Sequence, residues 1–344
     1  MQLHDNKYDY NLQLIEEKNK KNPYIWDDKK NRTEPLAKSF ERLGKNKKAA
    51  LVRECGTYLE FRRYIDSGEF KLHTANFCKV RLCPLCSWRR SLKIFGQTSA
   101  IMNKIPQSYR FIFLTLTCKN PTGEELANML DKLFKAYNLF AKRKDFKDCF
   151  VGWFRALEVT YNKRSDTFHP HFHVILCCHK NYFKQQYLNQ EQFQKMWKEC
   201  LGADYDPVVD VRSFSKKKGV AEASKYAVKD KDYVTKKGVG IDHVIDLLDN
   251  VLKNRRLVAY GGNMKEIKKQ LKLDDAIDGD LINTSGQDLR EDLNYIVERY
   301  AWHVGYKGYY QIKESIYSEN TDLYKQRVEK AEEYKKMFEE IEGS

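Results

Sequence analysis

The segment that most restricts the fold is a run of histidines within an otherwise apolar stretch. Residues 168–178 read FHPHFHVILCC. Polar and apolar side chains alternate in its first part, which predicts a β-strand, because successive residues of a strand point to opposite faces of a sheet. His171 and His173 then share one face, whereas Phe172 points to the other. The chain therefore needs a sheet with one covered apolar face and one face that presents two imidazoles.

The preceding segment predicts the partner strand of a hairpin. Residues 151–161 read VGWFRALEVTY, and the polar stretch NKRSDT that follows predicts the turn. If the turn closes between Tyr161 and Phe168, Glu158 lies opposite His171. Directly paired Cβ atoms are about 4.5–5.5 Å apart, so this carboxylate would lie beside the imidazoles.

These side chains predict a metal site. Two imidazoles and a carboxylate suit a divalent ion that must also hold phosphate oxygens, so we expect Glu158, His171 and His173 to bind one. His169 points to the same face and is the alternative third ligand. The simpler alternative is a group of core or surface histidines that bind no metal.

The surrounding segments predict the fold class. Residues 110–118 and 207–214 are rich in apolar and β-branched side chains and indicate strands, whereas apolar residues recur at helical spacing after Thr122 and over about 189–201. The resulting order β-α-β-β-α-β predicts an α+β fold of the ferredoxin-like kind, an antiparallel sheet with helices on one face.

The cysteines predict a second metal site. The chain has nine, an odd number, and opens without a secretory signal, which favours a reducing cytoplasm over a disulfide framework. Cys78, Cys83 and Cys86 form a knuckle, CKVRLCPLC, and zinc prefers four tetrahedral ligands. Cys55 is the expected fourth ligand and His73 the alternative. Four protein ligands leave no open position, so this Zn²⁺ would be structural; buried free thiols are the simpler alternative.

The charge of the chain predicts a polyanionic partner. The formal net charge is +14, and residues 1–110 carry 23 Lys and Arg against 12 Asp and Glu. Such an excess favours nucleic acid. Arg89, Arg90 and Lys93 follow the knuckle, and we expect them to contact DNA phosphates. No run of about 18 apolar residues occurs, so we expect no membrane span.

A predicted helix over 220–230 carries a reactive combination. Glu222 and Tyr226 are four residues apart and share a face, and Lys225 and Lys229 flank the tyrosine. A phenol beside a metal and lysines can attack a phosphodiester, and a carboxylate one turn away can activate water. A tyrosine that packs in the core is the simpler alternative.

We expect four regions along the chain. Residues 1–48 form a basic arm, either loose or made of peripheral helices, and 49–108 form the zinc-binding basic module. Residues 109–235 form the nuclease core. Residues 236–344 form a mostly helical region that ends in a charged helix.

Three motifs in order resemble a known family. FLTLT at 113–117, HPHFHVIL at 169–176 and EASKYAVK at 222–229 are similar to those of the HUH endonucleases. The cysteine-rich stretch 77–93 and the segment 255–275 resemble the rolling-circle replication initiators of small Gram-positive plasmids, of the single-tyrosine class. The resemblance covers roughly residues 50–310.

The resemblance implies a mechanism. His171 and His173 would bind the catalytic Mg²⁺ or Mn²⁺, and Tyr226 would form a 5′-phosphotyrosine and free a 3′-hydroxyl primer. Glu222 would activate the water that ends replication. The substrate would be plasmid origin DNA, recognised as a duplex and nicked as a single strand, in the bacterial cytoplasm with a host helicase. Whether the protein is a monomer or a homodimer stays open.

Two other functions remain at this point. A relaxase or transposase of the same superfamily would use the same residues on other DNA ends. A zinc-stabilised DNA-binding regulator without catalysis would explain the charge and the cysteines, but not the histidine strand or the pairing of Glu222 with Tyr226.

Overall fold

A computed structural model describes residues 24–65, 67–185, 187–213, 220, 224, 228–235, 237–284 and 295–316. The chain divides into two compact units. The first comprises Met1–Arg89, Lys236–Asp242 and Leu281–Ser344, and the second Arg90–Thr235 and His243–Asp280. Both units combine helices with an antiparallel sheet, so the predicted α+β class is confirmed.

The helices in the described residues are α1 (Tyr24–Asn31), α2 (Thr33–Arg42), α3 (Asn46–Glu54), α4 (Pro84–Lys104), α5 (Gly123–Phe140), α6 (Lys144–Cys149), α7 (Tyr182–Gln185), α8 (Gln190–Leu201), α9 (Asp230–Tyr233), α10 (Asp242–Val251) and α11 (Gly262–Gln270). The strands are β1 (Tyr58–Tyr64), β2 (Phe70–Ala75), β3 (Tyr109–Thr117), β4 (Phe150–Asn162), β5 (Thr167–His179), β6 (Val209–Ser213), β7 (Val258–Gly261), β8 (Tyr295–His303) and β9 (Gly308–Ile316).

The second unit is built on a five-stranded sheet with the order β6-β3-β5-β4-β7. All its strand pairs are antiparallel, and β3, α5, β4, β5, α8 and β6 follow one another in the predicted order. Tyr161 pairs with Phe168 and Glu158 with His171, so the predicted hairpin register is confirmed. This register places the carboxylate and both imidazoles on one face.

Aromatic packing of α5 and α8 covers the opposite face of this sheet. The capping box of Thr122 and Glu125 starts α5, and Leu126, Leu130 and Leu133 are fully buried. The Tyr137 ring lies 5.4 Å from that of Phe172, a β5 side chain that points away from the histidines. Packing on this face thus fixes the strands whose other face carries the histidines.

A helix also reaches the face that carries the histidines. Thr98 of α4 hydrogen-bonds the hydroxyl of Tyr260 at 2.9 Å. The Tyr260 ring packs 5.0 Å from that of Phe154, which shares its face with Glu158. The helices therefore contact both faces of this sheet, whereas the sequence predicted one.

The first unit contains a four-stranded sheet with the order β2-β1-β8-β9. Its β8 and β9 come from the region beyond residue 236 that was expected to be mostly helical. The segment YIVERYAWH forms β8, and Tyr58 to Tyr64 pair with Ala301 to Tyr295 across it. Strand pairing therefore joins parts of the chain that the predicted boundaries separated. The predicted terminal helix lies outside the described residues.

The helices before β1 belong to the core of the first unit. Residues 1–48 were expected to form a loose arm or peripheral helices, yet in the described part Trp26, Leu36 and Phe40 are almost completely buried. The Trp26 ring contacts Trp88 at 4.7 Å, in an edge-on arrangement. The described part of this region is therefore structural. Among the helices described, none has both the length and the apolar character to span a membrane.

Candidate metal centres

The first centre lies on the β4–β5 hairpin. The Nε2 atoms of His171 and His173 are 3.2 Å apart, and Glu158 Oε2 lies 2.9 Å from the second and 3.7 Å from the first. All three side chains are at least nine-tenths buried. The ladder fixes this geometry, because Glu158 and His171 are direct partners and His173 is two residues further along.

These three atoms fit a single cation. Neighbouring ligands of an octahedral ion at about 2.0–2.1 Å would be about 3 Å apart, close to two of the three observed separations, 3.2 and 2.9 Å. The Nδ1–H of His171 donates to the backbone oxygen of His169 at 3.1 Å, which leaves the Nε2 lone pair directed at the centre. Three protein ligands would leave positions for water or phosphate oxygens.

The electrostatics also favour a cation. Burial raises the pKa of Glu158, but the neighbouring His171 and His173 imidazoles and the charged Lys229 lower it by more. The resulting pKa is well below its usual range, so the carboxylate is ionised. The Lys229 ammonium donates to Oε1, the oxygen that faces away from His173. Lys229 was expected to contact phosphate, and the structure places it on Glu158.

His169 lies beside this cluster and not in it. Its Nδ1 is 2.8 Å from Asn120 Oδ1, and the ring is half-buried, 4.8 Å from the ring of His171. Burial, reinforced by His171, lowers the pKa of His169. The structure thus brings Glu158, the favoured third ligand, together with His171 and His173. Tyr226, Glu222 and Lys225 lie outside the described residues.

The second centre is made by four cysteines of the first unit. Cys55 Sγ lies 3.5 Å from Cys86 Sγ and 3.6 Å from Cys83 Sγ, and Cys78 Sγ lies 3.7 Å from Cys86 Sγ. A zinc tetrahedron with Zn–S bonds of about 2.3 Å has sulfur atoms about 3.8 Å apart, so the four thiols fit Zn²⁺. His73, the alternative ligand, instead lies 3.1 Å from Arg62.

Burial shapes the chemistry of these thiols. All four are almost completely buried, and burial raises the pKa of Cys55 and Cys78 well above the ordinary value. A cation would stabilise their thiolates. One fixed cation is already close: the buried Lys30 ammonium donates to the backbone oxygens of Cys55, at 2.8 Å, and Arg53. Sequence reasoning missed Lys30, because 25 positions separate it from Cys55 and no local pattern connects them.

The expected phosphate contacts of Arg89, Arg90 and Lys93 are wrong. These side chains are no more than 5% exposed. Arg89 donates to the backbone oxygen of Leu281, Arg90 to that of Ile277, and Lys93 to the Asp274 carboxylate. They lie on the buried side of α4, where they donate hydrogen bonds to backbone and carboxylate oxygens of the acidic segment 274–282. A buried charge needs such partners, and here these partners are protein groups.

Comparison with known proteins gives one consistent result. A family model described as Replication protein matches residues 69–310. A Protein rep of Bacillus amyloliquefaciens is 39% identical over 315 residues, covering 83% of this chain and 93% of its own length. A Protein rep of Streptococcus pneumoniae is 36% identical over 292 residues, covering 81% and 90%. One from Staphylococcus aureus is 35% identical over 219 residues, covering 62% and 95%. No solved structure matches the chain.

Proposed function

The chain belongs to the replication protein family, and from this premise we propose that it initiates rolling-circle replication of a plasmid by nicking one DNA strand at the origin. The observation that carries the proposal is the buried cluster of Glu158, His171 and His173. A regulator that only binds DNA needs no such set of ligands. A nuclease needs it to hold a cation against the phosphate that is cut.

The chemistry is a transesterification at phosphorus. The Tyr226 oxygen loses its proton to solvent and forms a bond to the scissile phosphorus, and the bond from phosphorus to the 3′-oxygen breaks. The products are a 5′-phosphotyrosine and, after the leaving oxygen takes up a proton, a 3′-hydroxyl primer. A bound Mg²⁺ or Mn²⁺ would supply charge stabilisation at the phosphate oxygens.

The protein groups around this reaction have separate tasks. Glu158, His171 and His173 would hold the cation, and Lys229 keeps one Glu158 oxygen occupied so that the other faces the histidines. Glu222 would take a proton from the water that later hydrolyses a phosphotyrosine link, which ends the cycle with free enzyme.

We also propose that the four cysteines bind one structural Zn²⁺. Their sulfur separations of 3.5–3.7 Å suit a closed tetrahedron, which has no position for substrate. This metal would stabilise the first unit, and the reaction would take place in the second.

The decisive test is the covalent adduct. A single-stranded origin oligonucleotide, incubated with the protein and Mn²⁺, should yield a protein–DNA adduct that mass spectrometry maps to Tyr226. Tyr226→Phe should form no adduct, because the phenyl ring has no nucleophile. Tyr187→Phe, which alters an exposed tyrosine, should react like the wild type. A normal adduct yield from Tyr226→Phe would contradict the assignment.

The role of Glu222 is tested separately. Glu222→Ala should nick at a rate close to that of the wild type but accumulate covalent adduct, because hydrolysis lacks its base. Equal adduct release in the variant and the wild type would remove Glu222 from the mechanism.

A further inference from the structure

The tip of the β8–β9 hairpin in the first unit exposes large side chains to solvent. Val304 is 79% exposed and Tyr306 is 85% exposed, and Tyr310 on the returning strand is 49% exposed. Isolated exposed apolar residues are common on protein surfaces, but these three lie within seven consecutive positions at one end of a hairpin. Neither metal centre uses them, and an exposed cluster of this kind is typical of a binding surface.

Three rings at this tip pack against one another. The centre of the His303 ring lies 4.4 Å from that of Tyr306 and 6.0 Å from that of Tyr310. The backbone N–H of Tyr306 also donates to His303 Nδ1 at 3.1 Å, which closes the turn. His303, Tyr306 and Tyr310 therefore form one exposed group of rings, called here the aromatic tip.

Contacts with α1 hold the base of this hairpin. The backbone N–H of Tyr309 donates to the Asp27 carboxylate at 2.8 Å, and the side-chain amide of Asn31 donates to the backbone oxygen of Lys307 at 3.0 Å. The Tyr309 side chain itself is buried, 1% exposed. The hairpin is thus fixed to the core of the first unit while its rings stay in solvent. Because its backbone is already fixed, a ligand that binds the aromatic tip has little of the protein to order.

The charge of the segment that carries the aromatic tip is positive. Residues 303–313 read HVGYKGYYQIK, with two lysines and no acidic side chain. Lys307, the residue after Tyr306, is exposed. A cationic group directly beside exposed rings favours an anionic ligand that also has flat, apolar faces.

Single-stranded DNA is a ligand of this kind. Every base has a π-face on which an aromatic ring can stack, and basic side chains attract the phosphates between the bases. In a duplex the neighbouring bases cover these faces. A protein partner fits less well, because a standard interface takes about 20–30 residues of each partner, far more than one hairpin tip offers.

We propose that the aromatic tip binds single-stranded DNA, with bases stacked on its rings and Lys307 at a phosphate. This inference rests on the proposed function, because initiation at an origin generates a single strand. It assigns that strand a contact in the first unit, outside the metal-binding hairpin of the second. Tyr306 is the principal stacking surface, since it is the most exposed of the three rings and His303 packs against it.

The first test measures single-strand affinity by fluorescence anisotropy with a labelled oligothymidylate, which lacks the nick sequence. Tyr306→Leu should weaken binding about tenfold, because leucine is apolar but has no π-face. Tyr306→Phe keeps the ring and should stay within twofold of the wild type. Tyr187→Leu makes the same change at a tyrosine of the second unit that is 56% exposed, and it should also stay within twofold.

Two results of this test would overturn the proposal. If Tyr306→Leu binds oligothymidylate within twofold of the wild type, the aromatic tip does not bind single strands. If Tyr306→Phe loses as much affinity as Tyr306→Leu, the hydroxyl group binds the DNA and the ring does not stack on it.

The second test separates the phosphate contact from stacking by varying the salt concentration. Lys307→Asn should reduce the slope of log affinity against log salt by about 0.7, the value for one phosphate contact on a single strand. Asparagine suits this position, because Lys307 has a φ of 50° and asparagine tolerates the left-handed region. Tyr306→Leu removes no charge and should keep the slope, as should Lys135→Asn at an exposed lysine of α5. An unchanged slope in Lys307→Asn would contradict the phosphate contact.

Duplex binding and nicking distinguish this proposal from the proposed function. Tyr306→Leu should bind duplex DNA within twofold of the wild type, and an equal loss on both kinds of DNA would overturn base stacking. At a saturating concentration of single-stranded origin it should nick within twofold, because the histidine centre belongs to the second unit. If the wild type itself does not nick, the proposed function fails, and the oligothymidylate affinities still decide the role of the aromatic tip.

Thermal unfolding checks that the variants fold. Tyr306 is 85% exposed, so Tyr306→Leu should melt like the wild type. If it does not fold, Tyr306→Ser replaces it, with the same tenfold loss of single-strand affinity expected and the same outcome, binding within twofold of the wild type, overturning the proposal.

Discussion

The two metal centres differ in what holds their ligands together. Glu158, His171 and His173 lie on paired strands, so the ladder sets their positions before any metal binds. The four cysteines lie outside the strands: Cys55 follows α3, Cys78 follows β2, and Cys83 and Cys86 flank or begin α4. The fold thus preorganises the histidine centre, whereas the proposed Zn²⁺ on the cysteines would itself help to stabilise the fold.

The number of ligands supports the same distinction. Four thiols close a tetrahedron and exclude substrate, and three ligands on a strand pair leave room for it. One centre should therefore affect stability and the other activity. The cysteine and histidine variants that follow each test one side of this distinction.

The largest effect should come from Cys83→Ser. Structural zinc sites contribute about 10–16 kcal/mol of apparent binding free energy, comparable with the whole stability of a domain. We expect the variant to lose its zinc, measured by elemental analysis, and the first unit to lose its cooperative thermal transition. Cys200→Ser, at a half-buried position outside the cluster, should keep both. A variant that retains one zinc and melts like the wild type would remove Cys83 from the ligands, and a wild-type protein without zinc would make the four cysteines free thiols.

A large effect on activity alone should come from His173→Ala. Losing one of three ligands should slow metal-dependent nicking of a single-stranded origin by at least ~100-fold. The melting temperature and zinc content should remain those of the wild type, because the ladder still holds the hairpin. His179→Ala, at an exposed position on the same strand, should nick normally. Loss of folding in His173→Ala would contradict preorganisation.

A small effect should come from Asp27→Asn in the first unit. Burial raises the pKa of Asp27 to about 6, although its carboxylate accepts the Tyr309 N–H at 2.8 Å. Because the pKa of Asp27 is higher in the folded protein than in the unfolded chain, protonation of Asp27 stabilises the folded state. This contribution is lost as the pH rises through about 6. Asparagine keeps the acceptor without the charge, so it should stabilise the protein by ~1 kcal/mol, after a discount for solvent screening, above pH 6.

Melting curves at pH 4 and pH 7.5 check the predicted direction of this pH dependence. The increase in melting temperature caused by Asp27→Asn should be present at pH 7.5. It should be small at pH 4, where the wild-type carboxyl is protonated in the folded state. An equal advantage at both pH values would mean that the effect is not due to ionisation of Asp27.

Sequence patterns predicted the histidine hairpin because all the information there is local. An alternation of period two and a short polar turn fix which side chains share a face, and the pairing of Glu158 with His171 follows. The choice between Cys55 and His73 could not be made this way. Loop residues have no periodicity, and only the packed structure shows that His73 lies against Arg62.

Two other predictions failed because they depended on distant parts of the chain. Arg89, Arg90 and Lys93 look like a basic surface until the segment 274–282, almost two hundred residues later, covers them. The pairing of β8 with β1 likewise joins residues more than two hundred positions apart. Local composition gives no signal for such contacts. The prediction that Tyr226 is the nucleophile rests on its sequence motif alone, and the adduct test decides it.

The pairing of β1 with β8 has a consequence for synthesis on the ribosome. Every strand of the second unit's sheet, β3 to β7, has been made before Tyr295, the first residue of β8, is added. Until then β1 has only β2 beside it, although all four cysteines already exist. The five-stranded sheet can thus assemble on the nascent chain while the four-stranded sheet still lacks its last two strands. A prematurely terminated product would then contain the complete histidine hairpin together with an unfinished sheet, whose open edge is a template for aggregation.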